Sequence, residues 1–492
     1  MHGNGKLSAV VVVALLLALA RSVPGHADGP VRADATVRVE PGPAAAVLGS
    51  GAVGVDAQFW NENTVEPEVP GLLHAAGVQT LDWDAGMPVD MYDWQTNTLR
   101  PDPGKAAHPY DYTMLRPKFT FDQFAELARD GGVEHKLVHV NYGTGTPAEA
   151  AAWVRYANNE KHYGVKYWEI GESMHFNGWS PTQENIEPDG HVDKSPQAYA
   201  RNVLEFARAM KAVDPTIRVG VGLSSRDTDA ELMDWNRTVL EIVGRDIDFV
   251  DLFVFGSGWQ PMSDADLLAR PRANGDLIGR FRDLIDQHAG PGHRVEIIIG
   301  EAASVANATG QQVSTVSALF LADHYLTLLE GGASQVHWYA LLGQIMGTVA
   351  AGYGDVGLLS SGLCATENPW AEPSDYCQPP ATTPFPAYYG LKLLQQLTLA
   401  GAELLPATSN NGQIVVHAAR RPDGRFAVLL INEDPNADHA VSIELPGPRN
   451  RDATVFTYGE HSVDVESTTR TVDLAQPVTV APYSLTALVL GS

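Results

Sequence analysis

Carboxylates and imidazoles sit in or just beyond several short apolar runs of this 492-residue chain. Asp82 and Asp84 interrupt Leu81-Asp82-Trp83-Asp84, and Glu172 and Ser173 close Tyr167-Trp168-Glu169-Ile170-Gly171-Glu172-Ser173. Glu301 follows Val295-Glu296-Ile297-Ile298-Ile299-Gly300. His139, His175 and His337 lie within or beside similar runs. Brought to one place, such a set has two uses: it holds a divalent metal, or it supplies a base for proton abstraction. The metal use has little support from spacing, because there is no tight His-x-x-His pair. The two cysteines, Cys364 and Cys377, also lack the CxxC arrangement of a zinc site. A Ser-His-Asp triad built on Ser173 is conceivable on paper, but no nucleophile-elbow glycines flank it. For His139 and His337, inside apolar runs, packing and hydrogen bonding is the ordinary role.

The elements that must position these residues are short and regularly spaced. Eight β-rich runs, at Gly54–Phe59, Thr80–Trp83, Lys136–Asn141, Tyr167–Ile170, Arg218–Leu223, Phe249–Phe255, Arg294–Gly300 and Gln335–Ala340, alternate with amphipathic stretches. Thr146-Pro147 and Ser195-Pro196 place an N-cap hydroxyl before a proline at the first helical position. Strands alternating with helices predict an α/β fold with a parallel sheet, and eight strands close a (β/α)8 TIM barrel. The rival doubly wound sheet lacks a Gly-rich dinucleotide fingerprint, and no cofactor is expected. Past about Gly401 the helical period disappears. Short strands at Gly412–His417, Arg425–Asn432, Ala440–Leu445, Thr454–Thr457, Ser467–Asp473 and Leu485–Leu490 predict a C-terminal antiparallel β-sandwich. The expected division is a signal peptide over 1–27, an N-terminal segment over 28–50 that adds strands to the sandwich, a barrel over 51–398 and the sandwich over 399–492.

The formal charge of −26 argues against nucleic acid or an anionic membrane surface as partner. Lys6, the apolar run Val10–Leu19 and the small residues around Ala27 read as a secretory leader, so the mature chain is expected outside the cell and free of the membrane. In that compartment Cys364 and Cys377 can close a small loop, worth about 3 kcal/mol in the chain-entropy model. Asn236-Arg237-Thr238 and Asn307-Ala308-Thr309 match the glycosylation acceptor pattern and are read as chance matches.

Val140-Asn141-Tyr142-Gly143-Thr144-Gly145-Thr146-Pro147, the Tyr167–Gly171 run, Asp90-Met91-Tyr92-Asp93-Trp94, Gly354-Asp355-Val356-Gly357 and Tyr388-Tyr389-Gly390 recur in a recognisable order. Taken together, the chain resembles the α-L-arabinofuranosidase-type glycoside hydrolases of the retaining barrel superfamily. The resemblance implies a carbohydrate substrate, self-association, and two carboxylates about 5–5.5 Å apart, one a nucleophile and one an acid/base. Glu301 matches the nucleophile. On strand four the family reads Trp-Glu-Ile-Gly-Asn-Glu, so Glu172 stands where it has Asn and Ser173 where it has the acid/base. Asp82 and Asp84 replace an Arg region on strand two, and Phe253-Val254-Phe255-Gly256-Ser257 lacks the expected His. Ala302-Ala303 replaces an Asn or aromatic after the nucleophile.

Three readings follow. Glu172 serves as displaced acid with Glu301 as nucleophile, and Asp82, Asp84, Asn141, Ser173, His175, Trp179, Trp259, His337 and Trp338 line the substrate site. Alternatively the chain is a pseudo-glycosidase that binds sugar on tryptophan faces, Trp83, Trp94 and Trp168 among them. In the third, the mouth is repurposed for other acid/base or metal-assisted chemistry.

Overall fold

The computed structural model describes residues 33–84, 86–104, 111–257, 262–305, 309–343, 354–365 and 376–491. The leader, Trp259 and the acceptor Asn307 lie outside them. Eight parallel strands close a barrel. In chain order they are strand one Val53–Asp56, two Thr80–Trp83, three His135–Val140, four Tyr167–Ile170, five Arg218–Leu223, six Phe249–Ser257, seven Glu296–Val305 and eight Gln335–Trp338. Strand one pairs with strands two and eight, which closes the ring.

Side-chain alternation along each strand sorts the residues into two environments. Outward positions, such as Val53, Val55, Leu81, Trp83, Val138, Trp168, Val336 and Trp338, join the large core under the helices. Inward positions fill the barrel. Its lower interior is an apolar plug of Leu137, Tyr167, Phe249 and Ile298. Gly220 makes room for that plug, since a Cβ there would lie 2.3 Å from the Phe249 ring. The helices start where the sequence places caps: Thr146 accepts from the Glu149 N–H and Ser195 from the Ala198 N–H, each with proline at the helix start.

The sandwich is built from two sheets. One has seven strands and the other four, the latter made of 407–409, 35–39, 439–444 and 478–480. Ala35–Val39 joins the smaller sheet and Ala46–Val47 the larger. Val37, Val441 and Val480 of the small sheet pack against Val416, Val428 and Leu488 of the large one. The other face of the large sheet, with Val415, Leu429 and Val489, joins the barrel core. His417 on that face reaches Asp323 and Glu330 of the helix Thr315–Glu330, both at 2.9 Å. Three strands, Glu403–Leu405, Ala407–Ser409 and Val478–Val480, were not anticipated because each is only three residues long. Cys364 and Cys377 form a disulfide. Among the described residues no helix is long and apolar enough to cross a membrane.

Candidate active site

Above the apolar plug the interior turns polar. Seven carboxylates, of Asp56, Asp82, Asp84, Glu169, Glu172, Asp251 and Glu301, and two imidazoles, of His139 and His337, are buried there. Most arrive by simple alternation. Gly54 and Asp56, Asp82 and Asp84, Leu137 and His139, Tyr167 and Glu169, and Phe249 and Asp251 are pairs of inward positions two residues apart.

Glu172 and Glu301 do not follow alternation. On strand four, Glu169 points inward and Ile170 outward, so Glu172 would face the helices if the strand ran on. Gly171 takes a left-handed φ of 73° and turns it into the mouth. A Cβ at Gly171 would also crowd Met174 at 2.8 Å. On strand seven a bulge does the same: Leu252 pairs with Ile299 but Phe253 pairs with Glu301, skipping Gly300. Gly300 donates to Asp251 Oδ1 at 2.6 Å, and a Cβ there would stand 2.0 Å from Asp251 Oδ2. Both glycines re-aim the carboxylate that follows.

The charges are unevenly matched. His139 Nδ1 lies 2.7 Å from Glu172 Oε2, an ionic contact rather than an aligned hydrogen bond, and Nε2 lies 3.3 Å from Asp82 Oδ1. Burial opposes a charge on His139, yet Asp82, Glu172 and Glu169 hold its pKa well above the usual imidazole range. His337 Nδ1 bonds Asp82 at 3.0 Å, and its Nε2 meets Gln335 Oε1 at 3.1 Å. Burial works against ionised Asp82, but His139 and then His337 hold it down to about 2. The other carboxylates move upward. Burial and then Asp84 lift Glu172 to about 8. Burial, then Asp84 and Glu172, hold Glu301 well above its ordinary value. Burial, then Asp82 and Asp84, do the same to Asp56. Among the described residues neither oxygen of Asp56 has a hydrogen-bond partner, while Glu169 meets Asp251 carboxyl to carboxyl.

A second acid pair lies behind Glu172. Asp90 accepts the N–H groups of Tyr142, Gly143 and Glu172 at 2.7, 2.7 and 2.9 Å, which pins the loop ends of strands three and four. Burial raises it to about 6, and buried Glu187 beside it is raised further by burial and then by Asp90.

The remaining sequence candidates fall in different places. Trp338 is a correction. It faces outward from strand eight, packs near Phe320 and Tyr325, and donates its indole N–H to Val356 O at 2.9 Å, so it meets the helix layer and not the mouth. Trp83 and Trp168 are outward and buried for the same reason. Asn141 uses its side chain on Tyr92 O and Thr144, bracing its own loop. His175 packs at a tilt against the Phe176 ring, and burial and then Arg226 lower it to about 3, which favours the neutral imidazole. Trp179 is half-buried and donates to His175 O at 3.1 Å. Ser173 is buried at the end of the strand-four turn. Sequence reasoning passed over Asp56, Glu169, Asp251 and Tyr339. Tyr339, just past strand eight, is raised by burial and then by Glu301, Asp84 and Asp56. The first three are readable as polar residues on the inward phase of otherwise apolar strands.

Comparisons with known proteins agree with this architecture. No family model matches the chain. Alpha-L-arabinofuranosidase C of Emericella nidulans is 31% identical over 178 residues, which are 32% of this chain and 32% of that protein. An intracellular exo-alpha-(1->5)-L-arabinofuranosidase of Streptomyces lividans is 24% identical over 217 residues, 41% of this chain and 30% of its own length. The chain therefore matches about a third of the length of these curated relatives. Among solved structures, the alpha-L-arabinofuranosidase of Thermotoga maritima superposes with a TM-score of 0.69 at 19% identity, covering 93% of this chain and all of that one. A Paenibacillus polymyxa xyloglucanase of glycoside hydrolase family 44 gives 0.60 at 9% identity, covering 93% of this chain and all of that one. At these identities the shared property is the fold, a barrel with an accompanying sandwich.

Proposed function

We propose that this chain is a secreted, retaining glycoside hydrolase acting on arabinofuranoside-type plant or cell-wall polysaccharide, with Glu301 as nucleophile and Glu172 as acid/base. The observation that carries this reading is the delivery of both carboxylates into one mouth. A bulge at Gly300 and a left-handed turn at Gly171 aim them inward, and each has an oxygen within 4.8 Å of Asp84. Strand ends of a barrel are where such sites are assembled. The likeness to arabinofuranosidases in sequence and in fold points to the same chemistry.

In this reaction Glu301 attacks the anomeric carbon and forms a glycosyl ester, while the leaving oxygen takes the Glu172 proton. Water then enters, deprotonated by Glu172, and releases Glu301. Burial and then Asp84 keep Glu172 protonated to about 8, which suits a proton donor at neutral pH. Glu301 shares the same raised environment, so the two titrate as a unit and turnover rises as the cluster gives up its first proton. The sugar-binding alternative needs tryptophan faces in the mouth, and Trp83, Trp168 and Trp338 are turned to the helices. Export from the cell rests on the apolar leader and on the disulfide.

The test is hydrolysis of aryl arabinofuranosides by the chain, by Glu301→Ala and by Ser173→Glu. Aryl groups leave with little acid assistance, so the unaltered chain is expected to turn over and Glu301→Ala to lose about 10⁶-fold, the scale for a missing nucleophile. No turnover in the chain, nor in Ser173→Glu, overturns the hydrolase reading.

A further inference from the structure

Of the groupings of ligand atoms in the mouth, two share Asp84. In the first, Asp84, His139 and Glu172 bring ligand atoms within 4.8 Å of one another, and the chain supplies its own cation. The two nitrogens of His139 face Glu172 and Asp82, so the imidazolium is already committed to both. In the second, Asp56, Asp84 and Glu301 also bring one oxygen each within 4.8 Å of one another, and all three ligands are carboxylates.

Asp56 is the telling member. Its side chain is 0% exposed, neither of its oxygens has a hydrogen-bond partner among the described residues, and it reaches Asp84 and Glu301 on one side and Asp82 and His337 on the other. A buried carboxylate in that position needs a proton or a cation. The neighbouring Asp84 is held by outer groups, as metal ligands are. Gln58 Nε2 donates to its Oδ2 at 3.1 Å, the Trp60 indole holds Gln58 at 2.9 Å, and the Gly86 N–H donates to its Oδ1 at 2.8 Å.

We propose that Asp56, Asp84 and Glu301 bind a calcium ion. Hard oxygen donors select calcium, magnesium or manganese over softer metals. Calcium accepts several protein carboxylates in a flexible shell, whereas magnesium keeps most of its water and is held by one or two carboxylates, so a wall of three suits calcium. Waters complete its shell. While calcium is bound, Glu301 is a ligand and its lone pairs are withheld from the anomeric carbon. Calcium is therefore a brake on hydrolysis, and this second half rests on the hydrolase reading.

The experiment is titration of the EDTA-stripped full chain with calcium chloride by isothermal calorimetry, with magnesium chloride in parallel. One calcium site is expected, tighter than for magnesium. Asp56→Asn and Asp84→Asn each weaken it at least tenfold, while Glu172→Gln, on the His139 side, leaves it within about twofold. Circular dichroism melts establish that each variant is folded. No heat up to about 5 mM calcium, beyond the weakest range of extracellular calcium modules, overturns the site. Unchanged affinity in folded Asp56→Asn overturns it too. The brake is read on aryl arabinofuranoside turnover, expected to fall to background at saturating calcium and return with EDTA. Turnover indifferent to bound calcium overturns the brake, whereas absent turnover in the stripped protein counts against the hydrolase reading and leaves the calorimetric result to decide the site.

Discussion

Phe249 and Asp251 stand two residues apart on strand six, both inward and both fully buried, yet they belong to opposite regimes. Phe249 lies in the apolar plug with Leu137, Tyr167 and Ile298. Asp251 lies in the acid layer, one oxygen on the Gly300 N–H and its carboxyl set against that of Glu169. The same change of character occurs between Leu137 and His139 on strand three and between Tyr167 and Glu169 on strand four. One level of the barrel is filled to stabilise the fold. The next is filled with groups whose burial is costly unless something neutralises them. A layer that gives up stability in this way is where chemistry is to be sought.

Substitutions in the two layers should separate them. Phe249→Ala empties the plug and is expected to cost about 3–5 kcal/mol, measured by denaturant unfolding. Gly300→Ala strikes the boundary, because its Cβ would be placed 2.0 Å from Asp251 Oδ2. Overpacking of that kind costs about 1–3 kcal/mol. Its effect on hydrolysis should exceed its effect on folding, about 10²-fold, because the bulge that aims Glu301 must shift. Asp251→Asn keeps the acceptor for Gly300 and removes one of the crowded charges, so stability should change by less than about 1 kcal/mol in either direction. If Asp251→Asn proves as damaging as Phe249→Ala, the contrast between the layers is wrong.

The barrel strands were readable in the sequence as short β-rich runs alternating with amphipathic stretches, whereas the division of their interior into plug and acid layer was not. All eight barrel strands were placed within a few residues, and the long sandwich strands likewise. The site was readable only in part. Glu172 and Glu301 stood out by resemblance, but the reason they face inward is a turn at Gly171 and a bulge at Gly300. No periodicity announces either. Asp56, Glu169 and Asp251 were visible as polar residues on the inward phase, yet each alone looks like a strand residue with an ordinary partner. Their convergence depends on ring closure between strands one and eight, which only the folded chain supplies. Trp338 went astray for the opposite reason: it lies at the mouth end of its strand, and alternation turns it outward.

The smallest expected effect concerns the shape of the stability curve. Glu172 has an ordinary value of 4.5 and is raised to about 8 in the folded chain. Such a group contributes stability that is fully present below about 4.5 and is lost as pH rises through 8. Asp56 and Glu301 are raised in the same direction. The EDTA-stripped protein should therefore melt higher at pH 5 than at pH 8.5, and Glu172→Gln should flatten part of that slope. His417, raised to about 10 between Asp323 and Glu330, adds a decline of its own, but equally in every mouth variant, so the difference between curves reads Glu172 together with the His139 imidazole it supports. Phe249→Ala supplies the contrast. Burial holds the one titrating member of the plug, Tyr167, up at about 12, above the range of the melts, so Phe249→Ala should lower the whole melting curve and leave its slope unchanged. Parallel curves for Glu172→Gln and the unaltered chain would place the Glu172 proton in the unfolded range and remove the basis for calling it the acid.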